Sequence, residues 1–243
     1  YVEIGFYRQR SVVVETFEIK LTIKLNKDIL FKNYPNFVAN NINKILFNSL
    51  LFRSLHTNNS FKPYVVGSLN PIEKDKVYKK DKNYTLTMRT IDESFCNEFL
   101  KASKKAYNLD FEIENIEIKE LKFGFIDTLY TITPAIITIS QNRYWAKEDD
   151  IQLLFKVIKK NLEKKYYEFY RQELTTKENI IPYIELKNEK PIVFNYKQGK
   201  LFSNRFKIAF ESDKNSQKLA KLALGVGILE KNTLGFGMVV KGR

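Results

Sequence analysis

The 243-residue chain carries 41 Lys and Arg against 28 Asp and Glu, a formal net charge of +13 that favours a polyanionic partner, either nucleic acid or an acidic membrane surface. Hydrophobic residues at 44% and aromatics at 14% suffice for a proper core, which excludes disorder, and no apolar run approaches the ~20 residues of a membrane-spanning helix. One cysteine, Cys96, and one histidine, His56, exclude a disulfide framework, a cysteine-built zinc site and a multi-histidine metal centre.

At about 150 residues per domain the length fits one large or two small domains. Tyr1 stands first instead of Met, which points to a start that is missing or trimmed, and no signal peptide is visible. An intracellular, reducing compartment is expected, that is, the cytoplasm.

Residues Tyr1 to Val14 fit no repeating unit and receive no function. From Thr16 to Leu25, Phe17, Ile19, Leu21, Ile23 and Leu25 alternate with Glu18, Lys20, Thr22 and Lys24, the period of a half-buried strand with one core face and one wet face. After Tyr34-Pro35 the spacing becomes helical: Val38, Ile42, Ile45, Leu46, Ser49 and Phe52 form one stripe, predicted to end near His56 before the loop signal Thr57-Asn58-Asn59-Ser60. Two strand-like runs follow, Phe61 to Leu69 and Tyr84 to Ile91, joined by a lysine-rich connection whose charges read first as a solvated run. A helix from Asp92 to Tyr107 has Asp92 as N-cap and Phe95, Phe99, Ala102 and Ala106 inward. Phe111 to Phe123 is strand-like, with a slip near Asn115 that suggests a bulge.

This order, strand, helix, strand, strand, helix, strand, is the ferredoxin-like βαββαβ order. The second half repeats it. Leu129 to Ser140 is β-branched; Asp149 and Asp150 open a helix carrying Ile151, Leu154, Phe155, Ile158, Leu162, Tyr166 and Phe169 at helical spacing. Strand regions Ile180 to Phe194 and Leu201 to Glu211, a short helix Asn215 to Leu224 and a closing strand Gly235 to Lys241 complete it. The expected fold is α+β, two tandem ferredoxin-like (RRM-like) domains over 16–124 and 125–243, with the boundary near Gly124.

Four of the nine glycines fall between Gly225 and Gly237, as Gly225-Val226-Gly227 and Gly235-Phe236-Gly237 around a polar turn. Glycine permits positive φ and close backbone approach, so paired Gly-x-Gly runs could present N–H groups to phosphate. A Rossmann or P-loop fingerprint must follow a strand and open a helix, whereas this run follows a helix and opens a strand. A helix C-cap at Gly225 and Gly227 with a bulged hairpin at Gly235 and Gly237 explains the cluster equally well.

Gly-x-Gly, then Glu-Lys-Asn-Thr, then Leu-Gly-Phe-Gly-Met-Val-Val at the end of a second ferredoxin-like unit strongly resembles the glycine-rich loop of the CRISPR repeat-processing endoribonucleases, the Cas-six family of RAMP-type proteins. Thr133-Pro134-Ala135-Ile136-Ile137, Tyr144 and the helix through Asn161-Leu162-Glu163-Lys164-Lys165-Tyr166 look like the family's entry into its C-terminal domain. With Asn204 to Glu211, the resemblance spans roughly residues 16 to 241.

The resemblance implies cleavage of CRISPR repeat RNA without metal or other cofactor, leaving a 2′,3′-cyclic phosphate and a 5′-hydroxyl. That chemistry needs a base for the 2′-hydroxyl, an acid for the departing 5′-oxygen, and positive charge or N–H donors for the phosphorane. His56, after the first long helix, is the implied base or acid, and Lys62 the implied electrostatic stabiliser. Where many relatives carry a helical tyrosine, this chain has Asn40, Asn41, Asn43, Phe47 and Asn48, and neither Tyr34 nor Tyr64 fits the pattern convincingly. The implied RNA-binding set is Gly225, Gly227, Lys231, Asn232, Gly235, Gly237, Arg205, Lys207, Lys241 and Arg243. Implied partners are repeat RNA and, in a rival reading as a catalytically silent RNA-binding subunit, other CRISPR effector subunits; a homodimer stays open, and no membrane partner is implied.

Overall fold

The computed structural model describes residues 13–50, 52–53, 61–140 and 143–242. His56, the loop after it, Arg243 and most of the unassigned N-terminal segment lie outside them.

β1 (Thr16–Leu25) forms where the sequence alternates, and its apolar face is fully buried. It pairs antiparallel with β5 (Asn83–Thr90) and β6 (Phe111–Leu121), while β3 (Tyr64–Asn70) pairs with β5, giving the order β3-β5-β1-β6. In chain order this is second, third, first, fourth, the ferredoxin-like arrangement. The β1–β6 register shifts between Thr22 and Ile23, opposite Asn115 and Ile113, where the alternation of β6 slips. Short strands β2 (Ile29–Leu30) and β4 (Val77–Tyr78) add a small ribbon.

Two helices cover one face of this sheet. α1 (Tyr34–Leu46) starts with Pro35 in its first turn and buries Phe37, Val38, Ile42 and Ile45. It ends ten residues before His56, earlier than its apolar stripe predicts. Asn48 takes the Lys44 carbonyl through Nδ2 at 2.8 Å, a side-chain bond that competes with helix continuation. The stripe survives the turn, since Ser49 and Phe52 are still buried. α2 (Glu93–Ser103) is capped by Asp92, whose carboxylate accepts from the Ser94 N–H at 2.9 Å.

The second half has β7 (Thr128–Thr131), β8 (Thr138–Ser140), β9 (Arg143–Tyr144), α3 (Ile151–Tyr170), β10 (Tyr183–Leu186), β11 (Ile192–Tyr196), β12 (Gly199–Ser203), β13 (Phe206–Ala209), α4 (Lys214–Val226) and β14 (Val239–Lys241). Its main sheet runs β10-β13-β7-β14, again second, third, first, fourth. The β-branched run Leu129 to Ser140 splits at Thr133-Pro134, where proline interrupts the ladder. β11 and β12 form a hairpin that breaks each of the two long strand regions read from the sequence.

Each sheet has its own core. Phe17, Ile19, Leu21, Phe95 and Phe99 lie in one; Leu129, Leu154, Ile158, Leu162, Phe206 and Ile208 lie in the other. The outer face of β1 is not uniformly wet, as alternation alone suggests, because Glu18 is only 5% exposed. Its carboxylate accepts from Arg89 Nε at 2.9 Å, and Arg89 Nη1 donates to the Val239 carbonyl of β14 at 2.9 Å. The second unit therefore covers part of the face of the first. A second joint uses asparagines: Asn195 Nδ2 donates to Asn33 Oδ1 at 2.8 Å, and Asn36 Nδ2 to the Asn195 carbonyl at 3.2 Å.

Candidate functional site

The three stretches singled out in the second half meet at one place. Gly227 caps α4 at φ 73°, after which the chain turns back toward β14. The Gly237 N–H donates to the Pro134 carbonyl at 3.0 Å, and Met238 N–H to Thr133 Oγ1 at 2.8 Å. Thr133-Pro134 is thus the ledge on which the end of the glycine-rich segment rests. From the other side, Asn161 and Lys165 of α3 reach the same segment: Leu229 N–H donates to Asn161 Oδ1 at 2.9 Å, and Lys165 Nζ to the Gly227 carbonyl at 2.8 Å.

Glycine is required here by space as well as by φ. A side chain at Gly227 would stand 2.7 Å from Asn232 Nδ2 and 2.8 Å from the Gly237 carbonyl oxygen, and one at Gly237 would collide with the Ile228 carbonyl. The two ends of the segment close on each other, and the Ile228 N–H donates to the Gly237 carbonyl at 2.9 Å. Most of the N–H groups that could have faced a phosphate are used internally. Those of Gly227, Ile228, Leu229, Glu230, Gly235 and Gly237 each have a protein acceptor.

The segment also lies against the first unit. Gly235 packs on the ring of Tyr34, 2.7 Å from where its Cβ would stand, and the Tyr34 hydroxyl donates to the Gly67 carbonyl. A Cβ at Gly227 would meet Val65 at 2.9 Å. Lys62 lies three residues before Val65, just ahead of β3, so the strand that follows Lys62 is the one on which the glycine-rich segment packs. Lys62 is half-buried, and burial lowers the pKa of its ammonium.

The other candidates divide. Lys231 is exposed at φ 57° at the tip of the segment, and Lys241 is exposed at the end of β14. Asn232 instead turns inward: Nδ2 donates to the carbonyls of Ile228 at 2.8 Å and Phe236 at 3.0 Å, and Oδ1 accepts from Lys165. Gly225 lies inside α4, where it lets the helix approach Ile91 and Thr16 of the first unit. Lys207 stands over the Tyr130 ring, 5.7 Å from its centroid. Arg205 lines a crevice between the units with Tyr34, Ser68, Thr133 and Gly235, and its Nε has no hydrogen-bond partner among the described residues. Tyr34 and Tyr64 are buried, and desolvation raises both phenol pKa values far above the usual range, so neither offers an exposed hydroxyl. In the lysine-rich connection, Lys79 pairs with Asp75 at 2.5 Å and Lys82 with Glu73 at 2.6 Å, the local pairing of a solvated charge run.

The sequence pattern of the family described as CRISPR associated protein Cas6, C-terminal, matches residues 118–240, just over half the chain and all three converging stretches. The chain belongs to the Cas6 family. No curated protein matches it significantly. Among solved structures, "CRISPR associated protein Cas6" is similar with a TM-score of 0.66 at 21% identity, over 94% of this chain and 100% of its own. "An RAMP protein binding different RNA substrates" gives 0.67 at 17%, over 93% and 100%. A Cas6-related protein from Pyrococcus furiosus gives 0.65 at 19%, over 93% and 98%. At such identities these likenesses establish the fold, the tandem ferredoxin-like pair, and the family match gives the membership.

Sequence reading of this Cas6-family chain missed Asn161 and Lys165 as individual residues, although it marked the stretch holding them. An i, i+4 pair of polar residues on a helix is ordinary surface in sequence. Their inward direction becomes visible only when the neighbouring segment is placed.

Proposed function

We infer that this chain is an endoribonuclease that cuts CRISPR precursor RNA within its repeats, by attack of the 2′-hydroxyl on the adjacent phosphate. The reading is supported by one observation: the family-matched segment from Gly227 to Gly237 lies against β3, the strand that Lys62 precedes by two residues. Lys231 and Lys241 are exposed and the Lys62 ammonium is partly buried, three basic groups suited to an RNA backbone.

In the proposed reaction His56 takes the 2′-hydroxyl proton or delivers one to the departing 5′-oxygen. Lys62 stabilises the charge that builds on the phosphorane, and its partial burial strengthens that interaction because less water screens it. The phosphorus–oxygen bond to the 5′ side breaks as the bond to the 2′-oxygen forms. The products are a 2′,3′-cyclic phosphate and a 5′-hydroxyl, with no metal required. Both tyrosines near the joint are buried, so the proposed catalytic set is the pair His56 and Lys62. General acid–base help contributes ~10²–10⁴ in rate.

A repeat RNA with a single 2′-deoxy nucleotide at the cut site tests this directly. Binding without cleavage is expected, and cleavage at that site would overturn 2′-hydroxyl attack. If the all-ribose repeat is bound and never cut, the rival reading as a silent RNA-binding subunit holds instead.

A further inference from the structure

The exposed tip of the glycine-rich segment depends on a buried lysine that cannot reach the surface. Lys165 is 6% exposed and makes no ion pair among the described residues. Its Nζ donates to the Gly227 carbonyl at 2.8 Å and to Asn232 Oδ1 at 2.7 Å. Asn232 passes the constraint on through Nδ2, to the carbonyls of Ile228 at 2.8 Å and Phe236 at 3.0 Å. One turn earlier on α3, Asn161 holds Leu229 by both backbone groups, accepting its N–H at 2.9 Å and donating to its carbonyl at 3.3 Å.

These bonds act where the backbone most needs them. Leu229 at φ 59° and Lys231 at φ 57° are left-handed without being glycine, a conformation that side chains disfavour and that persists only where the surroundings dictate it. Gly227, Gly235 and Gly237 are left-handed too, so the segment alternates through a geometry that a free loop would abandon. Asn161 clamps one non-glycine site itself. Around the other, Lys165 holds Gly227 and Asn232, and Asn232 holds Ile228 and Phe236, so Lys231 lies within a stretch pinned before and after it. Burying an ammonium without a carboxylate is expensive, and burial draws the Lys165 pKa down to about 7. A methionine would fill the same volume without that cost, which sets Lys165 apart from ordinary core filling.

We propose that Lys165 is a positioning residue for RNA: acting through Asn232, it fixes the path of residues 227–237 so that Lys231 stands out from the tip toward the bound strand. This rests on the RNA-processing reading above. Lys165 touches no RNA in this account; its effect on binding passes through the shape of the segment and the placement of Lys231.

The test uses the full chain as wild type, Lys165→Met, Lys231→Ala and the double variant. Two quantities are read: amide hydrogen exchange of residues 228–237, and affinity for repeat RNA across a salt series. Lys165→Met is expected to speed exchange in the segment. It should weaken repeat binding by ~10-fold and lower the salt slope by about one contact, as Lys231→Ala does, with the double variant no worse than either single change. Additive losses, or binding that survives Lys165→Met unchanged, would overturn the proposal. If Lys165→Met does not fold, Asn232→Ser removes the acceptor of Lys165 and both amide bonds, and is read the same way. Wild-type protein that binds no repeat RNA would overturn the RNA-processing reading and this proposal together, whereas wild-type binding with no loss in the variants overturns this proposal alone.

Discussion

Arg89 and Val239 are joined across the two ferredoxin-like units: the guanidinium Nη1 donates to the Val239 carbonyl at 2.9 Å while Nε holds the buried Glu18 carboxylate at the same distance. One side chain therefore satisfies a buried charge of the first sheet and a backbone acceptor of the last strand of the second. That strand begins two residues after Gly237, so the joint also anchors the end of the glycine-rich segment.

Replacing Arg89 by Met should destabilise the protein by about 3–5 kcal/mol, because it strands a buried carboxylate. The double change with Glu18→Gln should recover part of that loss, since no charge is then left unpaired. Denaturant titration of the two single variants and the double variant measures both quantities. Equal losses in Arg89→Met and the double variant would refute the pairing.

The same pair has an acid signature. Burial raises the Glu18 pKa, but Arg89, with Lys119 and Lys20, outweighs that and holds it below 4.5. A depressed folded pKa contributes stability that is present above the unfolded value and is lost as pH falls through the folded one. Acid titration of wild type against Glu18→Gln should therefore show an extra loss of stability in wild type below about pH 4.5, and parallel curves would count against it.

Lys165 gives the opposite window. Its folded pKa near 7 lies below the 10.5 of an unperturbed lysine, so between these values the unfolded chain binds more protons. Wild-type stability relative to Lys165→Met should rise from pH 7 toward pH 10, by up to ~1.4 kcal/mol per pH unit. Below pH 7 the difference should be flat. Urea denaturation at stepped pH reads the slope.

Gly237→Ala should cost at least about 1–2 kcal/mol from the left-handed backbone alone, and more from the contact with the Ile228 carbonyl. Gly124, with open space around its Cβ position, is the matched control, and Gly124→Ala should leave the melting temperature nearly unchanged. Lys62→Ala acts at another level: it should lower the cleavage rate by ~10²–10³ while changing repeat affinity far less. Single-turnover cleavage and binding measured on the same preparation separate the two effects.

Much of the fold was legible in sequence because its signals are local. The alternation of β1, the Asp92 cap and the slip at Asn115 each reflect a physical constraint that acts within a few residues. The early end of α1 was hidden because its apolar stripe continues across the turn into Ser49 and Phe52, and only the Asn48 side chain marks the break. The β11–β12 hairpin was hidden inside strand-like runs of the right composition. At the candidate site, the glycine cluster could be named from pattern, and Lys231 and Lys62 through the family resemblance. The inward turn of Asn232 and the roles of Asn161, Lys165 and Arg89 could not be read, because each depends on what a distant segment brings opposite it.

Because the chain has one histidine, histidine-dependent cleavage is decided by incubating repeat RNA in EDTA with wild type and with His56→Ala. Wild type is expected to cut and yield a product ending in a 2′,3′-cyclic phosphate, whereas His56→Ala is expected to bind the repeat without forming that product. Wild type that binds the repeat and never cuts it, or His56→Ala that cuts as fast as wild type, would contradict it.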